Sequence, residues 1–373
     1  MEVGQPRKSR VRGTVIDRIG CSGMGEQRRR RSGTIRIAVA VSVVVVVALG
    51  GLAVCTARSA GDCTVERLAL PSRDAYSLVL GMDPAGRFIV GRTEQAPGTS
   101  RLDLLIWNDR QPRRVALPGE RQVPRDVNAS GVVVGTTDIR SAAGPIGIRA
   151  WVYRDGEVTL LPGTRRTEAL AVSDSGVVVG TDDGHPVVWR PSAAAPSTLP
   201  VPDATSTGTA NGVSADGQTI VGMLRSGSLM RPYVWSADAT PRELPLPVVD
   251  GDTAMEASAQ SISGDWVAGM ATTRRSDNGM PVRWNLRTSE VSVFPKYKLA
   301  GITVSADGRL TAKAGDGRAV LLGGPETLTL RRLGDPTSLP DTAEAISQDS
   351  RTIAGNAASG KAGGTAPVVW QCT

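Results

Sequence analysis

Side chains suited to acid–base or metal chemistry are sparse in this chain of 373 residues, which contains one histidine and four cysteines. His185 begins the segment His-Pro-Val-Val-Trp, and the equivalent positions of similar segments hold Arg231, Met280 and Ala366. A catalytic or metal-binding position would not accept such different side chains, so we interpret His185 as the entrance of a strand. A Ser-His-Asp triad and a His/Cys zinc site are therefore not expected. No metal, cofactor or catalytic residue is predicted.

Paired carboxylates are the other candidates for catalysis. They occur at Asp182-Asp183, at Asp250 with Asp252, and at Asp341 with Glu344. Two carboxyl groups at a suitable separation can hydrolyse a glycosidic bond. Their spacing in the sequence does not distinguish them from solvated loop charges. A hydrolase or lyase that acts on glycans stays open as an alternative function.

Arginine is the side chain that points to recognition. Of the 43 Lys and Arg residues only five are Lys. Variable connections between apolar segments carry many of the arginines, and functional residues concentrate on such loops. A merely solvated rim is the alternative reading. The predicted ligand-binding residues are Arg92, Arg140, Arg165, Arg166, Arg225, Arg274 and Arg275.

These connections belong to a repeat of roughly 44 residues that occurs seven times from Tyr76 onward. Each copy has four short apolar runs, a to d. Repeats of this length with four strands are typical of β-propeller blades. The sequence therefore predicts an all-β, seven-bladed β-propeller of four-stranded blades, of which the sixth is the least regular. The turn between runs a and b ends in Gly86, Gly131, Gly176, Gly217, Gly264, Gly308 and, in the last copy, Ser350. Run c ends in a tryptophan that we expect to pack between blades, at Trp107, Trp151, Trp189, Trp235, Trp284 and Trp370.

The connections differ in length. Runs a and b, and runs c and d, are joined by short turns, whereas the b–c and d–a connections are longer and variable. Because successive strands run in opposite directions, the long connections must share one face of the propeller. We call it the loop face and the opposite one the turn face. Recognition is predicted on the loop face.

The ends of the repeat region complement each other. The last copy stops after run c at Trp370, and residues 64–71 form an unpaired run d. We predict that this N-terminal run closes the last blade, which removes exposed strand edges. Cys63 precedes it, and Cys372 stands where other copies have the c–d turn. Outside the cytosol these positions predict a Cys63–Cys372 disulfide.

The N-terminal region predicts a membrane anchor. Residues 37–55 carry no charge and would span roughly 28 Å as a helix. Residues 1–36 hold ten Lys/Arg against three acidic residues, a net +7 that equals the charge of the whole chain. The positive-inside rule then predicts a cytoplasmic tail (1–36), a transmembrane helix (37–55), a linker (56–62) and an extracytoplasmic propeller (63–373). The remainder is neutral, so nucleic-acid binding is not expected.

Two processing events stay open. A signal peptidase could cleave near residues 57–60, and Leu52-Ala53-Val54-Cys55 resembles a lipobox in which Val54 replaces the usual small residue. A translation start at Met24 rather than Met1 would favour both alternatives. Cys21 and Cys55 are predicted to be free thiols.

The pieces AVSDSGVVVG, GVSADGQTIVG and AISQDSRTIAG, with HPVVW, RPYVW and APVVW, resemble bacterial extracellular repeat proteins of the HAF type over residues 76–373. That family usually has Asn where this chain mostly has Ser, with Asn128 as the exception. The resemblance implies a secreted or surface propeller-like array and no catalytic assignment. We expect a monomeric, single-pass, non-enzymatic binding module. Membrane lipid would contact the anchor, and a protein or cell-wall glycan would be the ligand. A surface structural protein without a small ligand is a further alternative.

Overall fold

The computed structural model describes residues 63–71, 76–94, 102–117, 120–141, 144–236, 241–274, 276–334, 339–359 and 364–373. All of them belong to the compact unit Arg58–Thr373. The predicted tail, transmembrane segment and linker, Cys21, Cys55 and Met24 lie outside the described residues. Within the described ranges, no helix has the length and apolar content needed to cross a membrane.

The described strands form seven antiparallel sheets that are the blades of a β-propeller. Strand β1 (Cys63–Arg67) is the first in the chain and belongs to the last blade. Blade 1 contains β2 (Ser77–Met82), β3 (Phe88–Glu94), β4 (Leu102–Asn108) and β5 (Gln111–Val115). Blade 2 contains β6 (Glu120–Val127), β7 (Val133–Ser141), β8 (Gly144–Arg154) and β9 (Glu157–Leu160). Blade 3 contains β10 (Thr167–Val172), β11 (Val178–Asp182), β12 (His185–Trp189) and β13 (Ser197–Thr198).

The second half follows the same plan with two irregularities. Blade 4 contains β14 (Thr207–Val213), β15 (Ile220–Ser226), β16 (Leu229–Trp235) and β17 (Pro241–Glu243). A separate hairpin comes next, with β18 (Val248–Val249) and β19 (Asp252–Thr253). Blade 5 contains β20 (Glu256–Ser263), β21 (Trp266–Thr273), β22 (Ser276–Asn285) and β23 (Val291–Val293). Blade 6 contains β24 (Leu310–Lys313), β25 (Ala319–Leu322) and β26 (Leu328–Thr329). Blade 7 contains β27 (Thr342–Ile346), β28 (Thr352–Ala358), β29 (Thr365–Cys372) and β1.

The in-frame tryptophans explain why run d ends in Leu-Pro. Their rings are buried, and in five of the six the indole N–H donates to a carbonyl at or near the end of run d in the preceding blade; among the described residues, Nε1 of Trp151 has no partner. Trp189 donates to the carbonyl of Pro162 at 2.9 Å, and Trp235 to that of Pro200 at 2.8 Å. Proline lacks an N–H but keeps its carbonyl, so it can end an outer strand and still accept this bond. These five tryptophans thus bond their blades to the preceding ones.

Six of the seven a–b turns share one hydrogen-bonding plan, whereas that of blade 5 is a two-residue turn between β20 and β21. A polar side chain at the first turn position accepts the backbone N–H that opens strand b. Oγ of Ser173 accepts from Val177, and Oγ of Ser347 accepts from Thr352, both at 2.9 Å. Such side-chain bonds fix tight turns. Contacts between turns continue around the ring, since the N–H of Gln348 donates to the carbonyl of Pro84 at 2.8 Å.

The predicted disulfide is present and closes the ring. Strand β1 pairs with β29 so that Cys63 lies opposite Cys372, and the two are bonded across 309 residues of sequence. Arg110 in blade 1 also contacts Glu66 of β1. The strand itself spans Cys63–Arg67, which is shorter than the predicted run 64–71. Closure pairs the edge of blade 7 that would otherwise be exposed.

The prediction that every blade has four strands is wrong for blade 6, which has three. Where its innermost strand was expected, only two isolated bridges join the chain to β24. They link Lys298 to Lys313 and Val304 to Leu310. Between the two bridges, five residues (299–303) therefore lie opposite only two (311–312). A segment with so many unmatched residues cannot form a regular ladder of hydrogen bonds with its neighbour.

Candidate functional site

The strand directions assign the predicted arginines to the loop face. Arg92 and Arg225 lie near the ends of b strands, and Arg274 follows β21 directly; Arg165 and Arg166 lie in the connection from blade 2 to blade 3. Arg92 is half-buried, and the other four are exposed. The structure does not describe the side chain of Arg140, which lies in β7, and Arg275 lies outside the described residues.

The connection that carries Arg165 and Arg166 is anchored through its backbone. The N–H of Ile148 donates to the carbonyl of Arg165 at 3.0 Å, and the N–H of Asp183 donates to that of Arg166 at 2.9 Å. The two main-chain bonds join this connection to strands of blades 2 and 3. A fixed backbone with exposed cationic side chains is a suitable arrangement for an anionic ligand group.

Exposed apolar side chains also lie on the loop face. Leu229 opens β16, Val248 opens the extra hairpin, and Met255 precedes β20; they are 37, 60 and 38% exposed. We call these three residues the blade 4–5 patch. One side-chain contact joins two of its segments, because Nη1 of Arg231 in β16 donates to the carbonyl of Met255 at 2.6 Å. Tyr76, 47% exposed, precedes β2 on the same face.

The centre of the propeller contains a cavity of about 230 Å³, lined by residues from the innermost segments of all seven blades. Its lining includes the last residues of the a strands and the first residues of the a–b turns, such as Asp174 and Gln348. The cavity therefore lies at the turn end of the central channel. We call it the turn-end cavity.

A repeated β-bulge shapes this cavity. In six blades the innermost strand carries one extra residue at the same point of its pairing with strand b. Bulges re-aim side chains and often occur beside functional sites. The extra residues and their successors are Leu80-Gly81, Arg125-Asp126, Leu170-Ala171, Asn211-Gly212, Gln260-Ser261 and Glu344-Ala345. Within this set, only blade 2 carries two charges of opposite sign.

Asp126 joins blades 2 and 3. Its Oδ1 accepts the N–H of Val127 and its Oδ2 accepts the N–H of Val172, both at 2.8 Å. Burial raises the pKa of Asp126 to about 7, against these two donors, and the Asp174 and Asp83 carboxylates add to the rise. At this end of the channel, the Asp174 and Asp83 carboxylates thus add to the negative potential around Asp126.

Neighbouring polar groups of the cavity come from other blades. Nη2 of Arg125 lies 3.9 Å from Oε2 of Glu168, a long and partly exposed ion pair. Nδ2 of Asn211 donates to the carbonyl of Ala259 at 2.7 Å, and Nε2 of Gln260 donates to Oγ of Ser258 at 2.6 Å. Each amide keeps further bonding capacity after these contacts.

None of the predicted carboxylate-pair residues lines this cavity, although Glu344 is the bulge residue of blade 7 beside it. Asp182 accepts from the N–H of Thr164 at 3.0 Å in a surface connection, and Asp250 lies at the tip of the extra hairpin. Asp341 is buried and accepts from the N–H of Ala358 at 3.0 Å. Burial raises the pKa of Asp341, and the nearby Arg332 opposes that rise.

His185 is exposed and opens β12. Across the described ranges, no group of three or more His, Cys, Asp and Glu side chains could hold a metal ion.

Comparisons with known proteins find a likeness only among solved structures. No family model matches it, and no curated protein matches it. Solved structures resemble it at low identity. A mitotic checkpoint complex structure is 11% identical, with a TM-score of 0.49 over 84% of this chain and 91% of that one. The Dos1 propeller is 10% identical, with a TM-score of 0.47 over 83% and 94%.

A puromycin-hydrolysing peptidase of Mycobacterium tuberculosis is 15% identical, with a TM-score of 0.41. This match covers 63% of the chain and only 40% of the peptidase. At such identities and TM-scores, none of the three structures supplies an argument about activity. The function has to be argued from the residues of this chain.

Sequence reasoning missed the Arg125-Asp126 pair. The signal was present in the sequence. When the a runs are aligned, Arg125-Asp126 occupies the positions that hold the uncharged residues Leu170-Ala171 and Asn211-Gly212 in the next two blades. It was missed because the bulge, which places consecutive side chains in one cavity, has no signature in a strand's period-two pattern.

Proposed function

We propose that this protein is a membrane-anchored, extracytoplasmic β-propeller that binds a protein or a cell-wall glycan through its loop face and catalyses no reaction. One observation carries the proposal. Of the large apolar side chains that are more than a third exposed in the described residues, Tyr76, Leu229, Val248 and Met255 lie on the loop face, and Leu160 lies on the outer strand β9. Exposed apolar groups beside arginines are typical of recognition surfaces.

The path of the chain is consistent with this choice of face. Strand β1 is an outermost strand and runs from the turn face to the loop face, so Cys63 lies on the turn face. The chain therefore enters the described propeller on the face opposite the loop face.

Binding by matched variants of the full-length protein tests the proposal. One variant reverses Arg92, Arg140, Arg225, Arg274 and Arg275 to Glu, and its control reverses Asp174 and Asp216 to Lys on the turn face. Both are immobilised in detergent and offered cell-envelope proteins and a glycan array. We expect the first variant to bind the wild-type partner more weakly and with less salt sensitivity, because rim charges mainly steer association. The control should bind as the wild type does.

Three results would contradict the proposal. Loss of binding only in the turn-face variant would place the site on the other face. Release of product from cell-wall polysaccharide would favour the glycan hydrolase or lyase. Protease treatment of intact cells that spared a C-terminal tag would place the propeller on the wrong side of the membrane.

A further inference from the structure

The turn-end cavity is a second candidate site, distinct from the loop face. Its lining brings an Arg and an Asp from adjacent positions of one strand into the same space. In a regular strand, consecutive side chains point to opposite faces of the sheet. Strand β6 avoids this separation because its pairing with β7 shifts between Pro124 and Asp126. The bulge therefore presents a cation and an anion together.

The Asp126 carboxylate has room for another donor. Each of its oxygens accepts one backbone N–H, and a carboxylate offers about four acceptor positions. The charges that act on it most strongly are those of Asp174 and Asp83, which are also negative. A bound ammonium group would relieve this repulsion.

Arg125 provides the opposite charge. Its ion pair with Glu168 is 3.9 Å long and leaves the Arg125 side chain 43% exposed. A guanidinium group can bind a carboxylate through two parallel N–H bonds. Asn211 and Gln260 line the same cavity and can orient a small polar molecule.

We propose that the turn-end cavity binds a small zwitterion of the α-amino acid type, with Asp126 accepting the ammonium group and Arg125 donating to the carboxylate. A cavity of about 230 Å³ can hold a molecule of that size, but it cannot hold a folded partner. The amides of Asn211 and Gln260 contact the remaining polar atoms. This site is independent of the loop face and of any partner there.

Calorimetry and thermal-shift measurements on the full-length protein in detergent test this assignment. The probes are glycine, L-alanine and L-serine, compared with glycinamide, N-acetylglycine, acetate and methylamine. We expect the amino acids to bind saturably below about 10 mM. Compounds that lack one of the two charges should bind roughly tenfold more weakly or worse, because each loses a charge-assisted contact.

Variants locate the binding. Arg125→Gln and Asp126→Asn should each weaken amino-acid binding roughly tenfold, because each removes one charged partner. Glu168→Gln should strengthen it, because the competitor for Arg125 is gone. Arg190→Gln, at an exposed position outside both candidate sites, should leave it unchanged. Since Asp126 also joins two blades, Arg125→Gln, which alters an exposed side chain, decides the outcome if Asp126→Asn fails to fold.

Saturable binding that depends on both charges and on Arg125 would support the site. Absence of binding by all three amino acids would overturn the proposal. So would equal binding of methylamine or acetate, or amino-acid binding that Arg125→Gln does not change.

Discussion

At the scale of single residues, the turn glycines meet two demands at once. Gly308 has a φ of +82°, which side-chain-bearing residues rarely adopt. A Cβ at this position would lie 2.5 Å from Cε2 of Trp266 in the preceding blade. That ring cannot shift easily, because the guanidinium of Arg283 stacks on it at 4.4 Å. The glycine therefore permits both the turn and the close approach of two blades.

A matched pair of substitutions separates these demands. Gly156 has a φ of +92° but has open space around its missing Cβ. Gly156→Ala should cost about 1 kcal/mol from the backbone conformation alone. Gly308→Ala should cost about 1–3 kcal/mol more, because the new methyl group overlaps the indole. Chemical denaturation of both variants measures the difference, and equal losses would show that the contact with Trp266 contributes nothing.

Asp126 predicts a pH dependence of stability. Its pKa rises from 3.8 to about 7 in the folded protein. Between those values the folded state keeps a proton that the unfolded chain has released, so this group's contribution to stability falls as the pH rises through that window. Below about pH 4 and well above pH 7 its contribution is constant.

The variant Asp126→Asn isolates the effect. It carries a pH-independent loss, because an amide NH₂ cannot accept the backbone N–H that one carboxylate oxygen accepts now. Relative to the wild type, its melting temperature should nevertheless improve as the pH rises from about 4 to about 7. A difference in melting temperature that stays constant over this range would mean that Asp126 titrates normally.

At the scale of elements, the seam of blade 7 is held by β1, which pairs with β29 over five residues and is linked to it by the Cys63–Cys372 disulfide. In the chain-entropy model, a cross-link across a loop of this length stabilises a protein by on the order of 5 kcal/mol. The hydrophobic clusters between the other blades lie away from this seam, so they do not depend on the bond to form.

Replacing both cysteines by alanine should therefore lower the melting temperature without abolishing the fold. The loss should approach the entropic estimate of about 5 kcal/mol. Reducing agent supplies the control: it should lower the melting temperature of the wild type by a similar amount and leave the double variant unchanged. A double variant as stable as the oxidised wild type would show that the pairing of β1 with β29 is sufficient alone.

The elements also show how far the sequence determines this fold. The period of the glycines and tryptophans predicted seven blades. The unpaired run d that ends in Leu70-Pro71 predicted that the N-terminal strand closes the last blade. A fourth strand was wrongly predicted for blade 6, because apolar residues in 298–304 resemble a strand although their spacing does not match that of β24. The extra hairpin at Val248 was missed because it departs from the repeat. The bulge at Arg125 was missed because an extra residue has no signature in a strand's period-two pattern.

For the candidate sites, the sequence could predict less. The choice of the loop face followed from loop lengths and strand alternation, which are properties of the repeat. The turn-end cavity depends on which side chains meet at the axis, and residues such as Arg125 and Glu168 are brought together only by the closed ring. Single repeats contain no signal for contacts between blades.

At the scale of the whole molecule, the two faces differ. The turn face consists of short connections whose polar side chains are used in turn hydrogen bonds, as in Ser214 and Asp216 at 2.6 Å. The loop face carries the long d–a connections, the exposed arginines and the blade 4–5 patch. The prediction that its b–c connections are also long is wrong for blades 2 to 5, where two residues join strands b and c. A rigid scaffold with one variable, exposed face is the usual arrangement of a recognition module.

The central claim is that a partner contacts the loop face, and site-specific photo-crosslinking tests it most directly. A benzophenone amino acid is placed at Val248 on the loop face or at Asp216 on the turn face of the full-length protein, and intact cells are irradiated. Both positions are exposed, so both can report a neighbour. Our account predicts a discrete crosslinked species from position 248 and none from position 216. A species formed from position 216 alone, or equally from both positions, would contradict it.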